Sequence, residues 1–124
     1  MLKFSHTDNG FHLELLPQSL EDWVNTRVIL ALRAATPIII QPSSASFLLP
    51  VDLPYLAELA EAIDEEMVEL LEADTEFVEA IIEGTWITSD AESEEGIFVT
   101  AMNYEAEFCL YKVWLEAQES ASVK

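Results

Sequence analysis

Few side chains in this sequence could carry out catalysis or hold a metal ion. Among 124 residues there are two histidines, His6 and His12, and a single cysteine, Cys109. A zinc site in a protein takes three or four nitrogen, sulfur or carboxylate ligands, and the sequence groups no such set around these residues. A catalytic thiol needs a neighbouring base and electropositive surroundings, which a chain this acidic does not offer to Cys109. We therefore expect no catalytic residue, no metal site and no enzymatic activity.

Carboxylates are the abundant reactive groups, because 24 Asp+Glu stand against 5 Lys+Arg and give a formal net charge of −19. Acid–base catalysis uses two carboxyl groups whose surroundings separate their pKa values, but many of these carboxylates repeat along the uniform stretch Leu56–Ala80. The acidic stretch Asp90–Glu95 lacks the residue spacing of a calcium loop. Gly10, Gly84 and Gly96 lie too far apart to form a phosphate-binding loop. The sequence thus predicts no cofactor.

The distribution of charge narrows the choice of partner. None of the five basic residues lies between Ala34 and Tyr111. Nucleic-acid binding normally depends on lysine and arginine contacts to phosphates, and anionic membranes attract the same residues, so both partners are disfavoured. A single cysteine allows no intramolecular disulfide, which suits a reducing compartment, and no apolar run is long enough to span a membrane. We expect a cytoplasmic protein whose partner is basic.

The elements that would position these carboxylates begin with a hairpin. One domain is expected at residues 1–117, followed by a polar tail at 118–124. The turn sequence Asp8–Gly10 separates two short apolar runs, Leu2–Ser5 and Phe11–Leu16, which predicts two antiparallel strands.

The next segments are predicted mostly as strands. Val24–Leu32 alternates with period two and favours a strand, with a helix as the alternative. A short apolar run at Ile38–Ile40 precedes a Pro/Ser loop and a second strand at Ala45–Leu49. Residues 75–83 are ambiguous between strand and helix, and their alternation favours a strand. Three further strand segments follow, and the last, Phe108–Leu115, is apolar on both faces, as a central strand would be.

A long amphipathic helix is predicted between the two groups of strands. Asp52 fits its N-cap and Pro54 its first turn. Leu56, Leu59, Ala60, Ile63, Met67 and Leu70 repeat at helical spacing as an apolar stripe. The face opposite this stripe is acidic. Like charges at i,i+4 destabilise a helix by about 0.2–0.5 kcal/mol per pair, so helix stability does not explain why this face carries so many carboxylates. We predict that this face binds the basic partner through five carboxylates: Glu58, Glu61, Glu65, Glu69 and Glu72.

The fold class predicted from this layout is α+β, with an antiparallel sheet packed on one long amphipathic helix in the order strands, helix, strands. The segments "GFHLELLP", "SFLLPVDLPYLAELAEAI" and "GTWIT" resemble a small family of uncharacterised cyanobacterial proteins with a Whirly-like fold. Whirly-like proteins are single-stranded-DNA-binding transcriptional regulators. The resemblance covers most of the chain and implies a twisted antiparallel sheet with a helix across it, with a homodimer as one assembly. It transfers no functional residues.

Three functions follow as alternatives. The first is a non-enzymatic interaction or regulatory protein whose acidic helix face meets a basic partner. The second is a nucleic-acid-related regulator, which rests on the resemblance and is disfavoured by charge, since Glu79, Glu83, Glu105 and Glu107 fall on the strands that would face the nucleic acid. The third is a small-molecule-binding domain with a pocket between helix and sheet.

Overall fold

The computed structural model describes residues 1–35, 37–63, 66–90 and 92–122. The strands in these residues form one antiparallel sheet in the order β2-β1-β6-β5-β3, with β4 also paired to β5. The predicted α+β class is therefore confirmed, although the described residues contain three helices instead of the one long helix that was predicted. The elements are β1 Leu2–Thr7, β2 Gly10–Leu15, α1 Leu20–Arg33, β3 Ile39–Pro50, α2 Leu56–Ala62, β4 Val68–Glu72, β5 Phe77–Thr88, β6 Gly96–Thr100 and α3 Tyr104–Ser122.

The chain divides into two compact units. The first unit contains Met1–Ser43 and Gly84–Ala101. The second contains Ser44–Glu83 and the chain from Met102 onward. The second unit holds α2, α3 and β4, and with them most of the carboxylates predicted to bind a partner.

The hairpin predicted at the start of the first unit is confirmed. β1 and β2 pair antiparallel with Thr7 opposite Gly10. Gly10 has a φ of +102°, a backbone conformation open mainly to glycine, so this residue closes the turn. On the other side, β1 pairs with β6, where Phe4 lies opposite Phe98 and their rings stack with centroids 5.4 Å apart.

The strand predicted at Val24–Leu32 is wrong, because these residues belong to helix α1. Ser19 caps the helix by accepting a hydrogen bond from the backbone N–H of Asp22 at 3.2 Å, and Arg33 lies in the last turn, where a cation is favourable. β-branched residues had favoured the strand, but burial follows the helical period. The buried and half-buried positions of α1 are Leu20, Trp23, Val24, Arg27, Val28 and Ala31.

The Pro/Ser loop predicted before Ala45 is also wrong, since β3 is one continuous strand of 12 residues. Pro42 cannot donate a backbone hydrogen bond, but β3 ends the strand order and is therefore an edge strand. Proline is tolerated at an edge because one side of the strand needs no donors. The Pro/Ser stretch was predicted as a loop because the sequence alone does not show that it lies in an edge strand.

The long helix is the largest correction. α2 has only 7 residues, its N-cap is Tyr55 rather than Asp52, and Ile63 turns extended with ψ 141° and ends the helix. The chain then forms β4, which pairs antiparallel with β5 and places Val68 opposite Ile82. Both of these side chains are buried. This long-range burial outweighs the helical spacing that Met67 and Leu70 share with α2.

The strand favoured at residues 75–83 is confirmed from Phe77 onward, and it continues further than expected. β5 runs for 12 residues and passes through Gly84 instead of ending there. Its first half pairs with β4, and residues 85–87 pair with β6. Gly84 marks the place where β5 passes close to Phe98 and Val99.

The last predicted strand, Phe108–Leu115, is wrong because α3 occupies this segment. Asn103 accepts a hydrogen bond from the backbone N–H of Ala106 at 2.7 Å, which begins the helix. Leu110 and Val113 are buried on the same side as Ala106, and the backbone continues to Ser122, into the residues predicted as a polar tail. In a helix with a broad apolar face, apolar residues follow one another closely along the sequence. The same pattern is expected of a strand that is buried on both faces, which explains the wrong prediction.

Candidate functional site

The structure separates four of the five carboxylates that were predicted to share one helix face. Glu58 and Glu61 lie exposed on α2, whereas Glu69 and Glu72 lie exposed on β4. Glu65 falls outside the described residues. The predicted i,i+4 series is therefore wrong as a helix feature. Glu58 and Glu61 come instead beside residues of α3 that are more than forty positions away in sequence.

A groove between α2 and α3 brings these two carboxylates together with a third. We call it the acidic groove; it has a volume of about 400 Å³ and is lined by Glu58, Glu61, Ala62, Tyr104, Glu105, Phe108 and Cys109. The rings of Tyr104 and Phe108 stack at 6.2 Å with an interplanar angle of 16°. Tyr104 is 78% exposed, so an unusually open aromatic surface lies among three carboxylates.

Asn103 holds the two walls of the acidic groove together. Its Oδ1 caps α3, and its Nδ2 donates to the backbone carbonyl of Ala62 at 3.4 Å, the last residue of α2. The carboxylate of Glu107 accepts from the backbone N–H of Met102 at 3.4 Å. The side chain of Asn103 thus joins the end of α2 to the beginning of α3 by one hydrogen bond.

The electrostatics of the acidic groove favour a cation. In the part of the chain that the structure describes, no ion pair reaches the carboxylates of Glu58, Glu61 or Glu105. The neighbouring Lys112 places its Nζ 4.9 Å from the ring centroid of Tyr55 and 5.0 Å from that of Phe108. These are cation–π contacts, and they place one positive charge of the protein itself beside the ring of Phe108.

Cys109 lines the acidic groove but is poorly placed for nucleophilic chemistry. Burial raises the pKa of its thiol above the ordinary value of 9.0, and the carboxylates of Glu58 and Glu105 raise it further, while Lys112 acts in the opposite direction. The sulfur therefore stays protonated near neutral pH. A nucleophilic cysteine needs the reverse, a pKa lowered by positive surroundings.

We expect alkylation of Cys109 by iodoacetamide to be slow near neutral pH and to reach half its maximal rate at a higher pH in the folded protein than in the unfolded protein, because the pKa of the thiol is raised by folding. Glu58→Gln should lower this midpoint because it removes a charge that raises the pKa. The folded state binds the proton more tightly than the unfolded state, so ionisation of Cys109 reduces the free energy of unfolding only as the pH rises past the unfolded pKa toward the folded one. The rate profile of urea-unfolded protein provides the reference, and an identical folded profile would contradict the prediction.

A second, larger groove lies on the other side of α2. We call it the apolar groove; it has a volume of about 640 Å³, and its apolar lining includes Leu56, Ala57, Ala60, Leu70, Leu71 and Val78. Glu72 and Asp74 also line it. Asp74 accepts hydrogen bonds from the backbone N–H groups of Glu76 and Phe77, so its carboxylate is engaged in a turn. Among the described residues, the lining of the apolar groove includes neither histidine nor cysteine.

The histidines lie elsewhere, in the first unit. The Nδ1 of His6 is 2.7 Å from the carbonyl oxygen of Glu94, and its ring stacks on Phe11. His12 lies 3.5 Å from the carboxylate of Glu14. Within the described residues, no three His, Cys, Asp or Glu side chains are grouped so that they could hold a metal ion.

None of the described helices is both long and apolar enough to cross a membrane.

The fold and the two grooves define a small acidic α+β protein with adjacent charged and apolar surfaces. The model of the Alr0857-like family matches residues 1–118, and the chain belongs to that family. No curated protein and no solved structure matches the chain.

Sequence reasoning missed the α3 side of the acidic groove. Tyr104, Phe108 and Lys112 are spaced i, i+4 and i+8, which places them on one face of a helix. This spacing was hidden because the segment was predicted as a strand. The apolar groove had no comparable signal, since its walls come from α2, β4 and β5.

Proposed function

We propose that this protein is a non-enzymatic cytoplasmic interaction protein that binds a basic segment of a partner protein in the acidic groove. The observation that supports the proposal best is the exposed Tyr104–Phe108 pair beside the carboxylates of Glu58, Glu61 and Glu105. Arginine fits such a surface best, because its planar guanidinium stacks on aromatic rings and binds carboxylates with two hydrogen bonds.

The expected affinity of the acidic groove by itself is modest. An exposed cation–π contact contributes about 0.5–1 kcal/mol, and an exposed ion pair about 0.2–1 kcal/mol. Micromolar binding requires about 8 kcal/mol, so several basic side chains or additional contacts are needed. Glu69 and Glu72 remain predicted contributors from β4, where their charge would accelerate association more than it strengthens the complex.

The test uses a synthetic peptide of arginine and serine and calorimetric titration at about 0.15 M salt. The variant Glu58→Gln/Glu61→Gln/Glu105→Gln should bind this peptide about tenfold more weakly, because three exposed ion pairs together are worth about 1.4 kcal/mol. The matched control is Glu92→Gln/Glu94→Gln/Glu95→Gln, which changes net charge equally at exposed positions of the first unit. Its affinity should stay within about twofold of the unchanged protein.

Equal weakening in the two variants would mean that the peptide responds only to total charge, and the acidic groove would then have no special role.

A single-stranded oligonucleotide provides the opposite control, and binding to it would favour the nucleic-acid alternative. Glu79 and Glu83 lie on β5 as expected, but Glu105 and Glu107 lie on α3 and not on a strand. We use the Whirly-like resemblance only as an expectation about architecture. A homodimer is one assembly that it implies, and light scattering can test for it.

A further inference from the structure

We propose that the segment bound by this protein is a basic amphipathic helix, whose apolar side chains enter the apolar groove while its basic side chains reach the acidic groove. This inference rests on the proposed function and names its partner more closely. It assigns a role to the larger of the two grooves beside α2, which the binding of a purely hydrophilic basic segment would leave unused.

The two grooves share one wall, and that wall is α2. Leu56, Ala57 and Ala60 line the apolar groove, whereas Glu58 and Glu61 line the acidic groove. A helix of 7 residues is only about 10 Å long. A single bound segment lying along α2 can therefore place side chains on both of its sides, since lysine and arginine have long and flexible stems.

The shape of the apolar groove suits side chains presented by a helix. Ala57 and Ala60 are exposed and small, so they leave room for larger side chains beside α2. The volume of about 640 Å³ lies within the range of roughly 300–1,000 Å³ that is typical of binding sites. Amphipathic helices bind such hydrophobic grooves through apolar residues at i, i+3 or i+4, and i+7.

Charge complementarity selects a basic helix rather than an acidic or neutral one. Glu72 lines the apolar groove, Glu58 and Glu61 lie across α2, and the sequence has no lysine or arginine between Ala34 and Tyr111. An acidic segment would be repelled at every one of these positions. A second copy of this chain, with its net charge of −19, is a poorer match than a partner with positive charge.

The experiment compares two peptides of identical composition, each of about 18 residues of leucine and lysine. In one the leucines recur at helical spacing and form a face, and in the other their order is scrambled. We expect the amphipathic peptide to bind at least about tenfold more tightly, measured by calorimetry. Ala60→Trp should fill the apolar groove and remove this preference while leaving the affinity for the arginine–serine peptide unchanged. The control Ala101→Trp, at an exposed position of the first unit, should keep the preference.

Three results would overturn the inference. The two leucine–lysine peptides could bind equally, the preference could survive Ala60→Trp, or the protein alone could be a dimer that Ala60→Trp dissociates, in which case a second copy fills the groove. Failure of the proposed function looks different, because the arginine–serine peptide would then respond equally to the acidic-groove and control variants whatever the leucine–lysine peptides do. Unchanged binding of the arginine–serine peptide to Ala60→Trp also shows that this variant is folded.

Discussion

Gly84→Ala should destabilise the protein by about 3 kcal/mol, at the upper end of what overpacking costs in a tightly packed interior. A Cβ atom at position 84 would overlap the carbonyl oxygen of Val99 and come within 2.5–2.9 Å of the ring of Phe98. The obstacle at Val99 is a backbone atom of β6, so the strand itself would have to move. An aromatic ring over a glycine is a recurrent way of covering a strand where no side chain fits.

Urea denaturation followed by circular dichroism measures the loss. The double variant Gly84→Ala/Phe98→Leu should recover only part of it relative to Phe98→Leu alone, because the carbonyl oxygen of Val99 remains in place. Thr85→Ala, the next residue of the same strand, should cost about 1 kcal/mol or less. A Gly84→Ala protein as stable as the unchanged protein would mean that β5 and β6 are not as close as the structure places them.

The sequence predicted the elements whose signal is local. The hairpin at β1 and β2 depends on a turn within three residues and on short alternating strands, and both lie within one short stretch of chain. Residues 75–83 were ambiguous between strand and helix, and their local alternation favoured the strand. The α+β class followed because these elements and at least one helix were recognisable.

The sequence failed where burial by distant residues decides the structure. Leu70 continues the helical spacing of α2, and only its pairing with Ala80 of β5 places it in a strand. In α1 and α3, period two and period 3.6 both fit the apolar residues. Each helix is then favoured by its N-terminal cap, Ser19 for α1 and Asn103 for α3. Such a cap stabilises a helix by about 1 kcal/mol, and the β-branched residues of these segments pointed to a strand instead.

These errors explain why the candidate site could be predicted only in part. Glu58 and Glu61 were identified from unpaired charge, and that reasoning holds for any fold in which α2 is a helix. Tyr104, Glu105 and Phe108 required the correct assignment of α3. A groove made by two helices far apart in sequence cannot be deduced from either one alone.

Leu59→Ala should have the largest effect on both stability and binding. Leu59 is fully buried, with 0% exposure, and replacing such a leucine by alanine costs about 2–5 kcal/mol. A helix as short as α2 has almost no stability of its own in water, so Leu59 and Leu56 hold it in place. Because α2 is a wall of both grooves, its displacement should weaken the arginine–serine peptide and the amphipathic peptide together.

Leu48→Ala is the matched control, since Leu48 lies in the same unit and is 61% exposed. It should change the free energy of unfolding by less than about 0.5 kcal/mol and leave the binding of both peptides intact. Hydrogen exchange would separate two ways in which Leu59→Ala can act. Fast exchange confined to α2 means that this helix detaches by itself, whereas uniformly faster exchange means that the whole fold is weakened. Retained binding of both peptides in a protein whose α2 amides exchange freely would contradict the assignment of α2 as the shared wall of the two grooves.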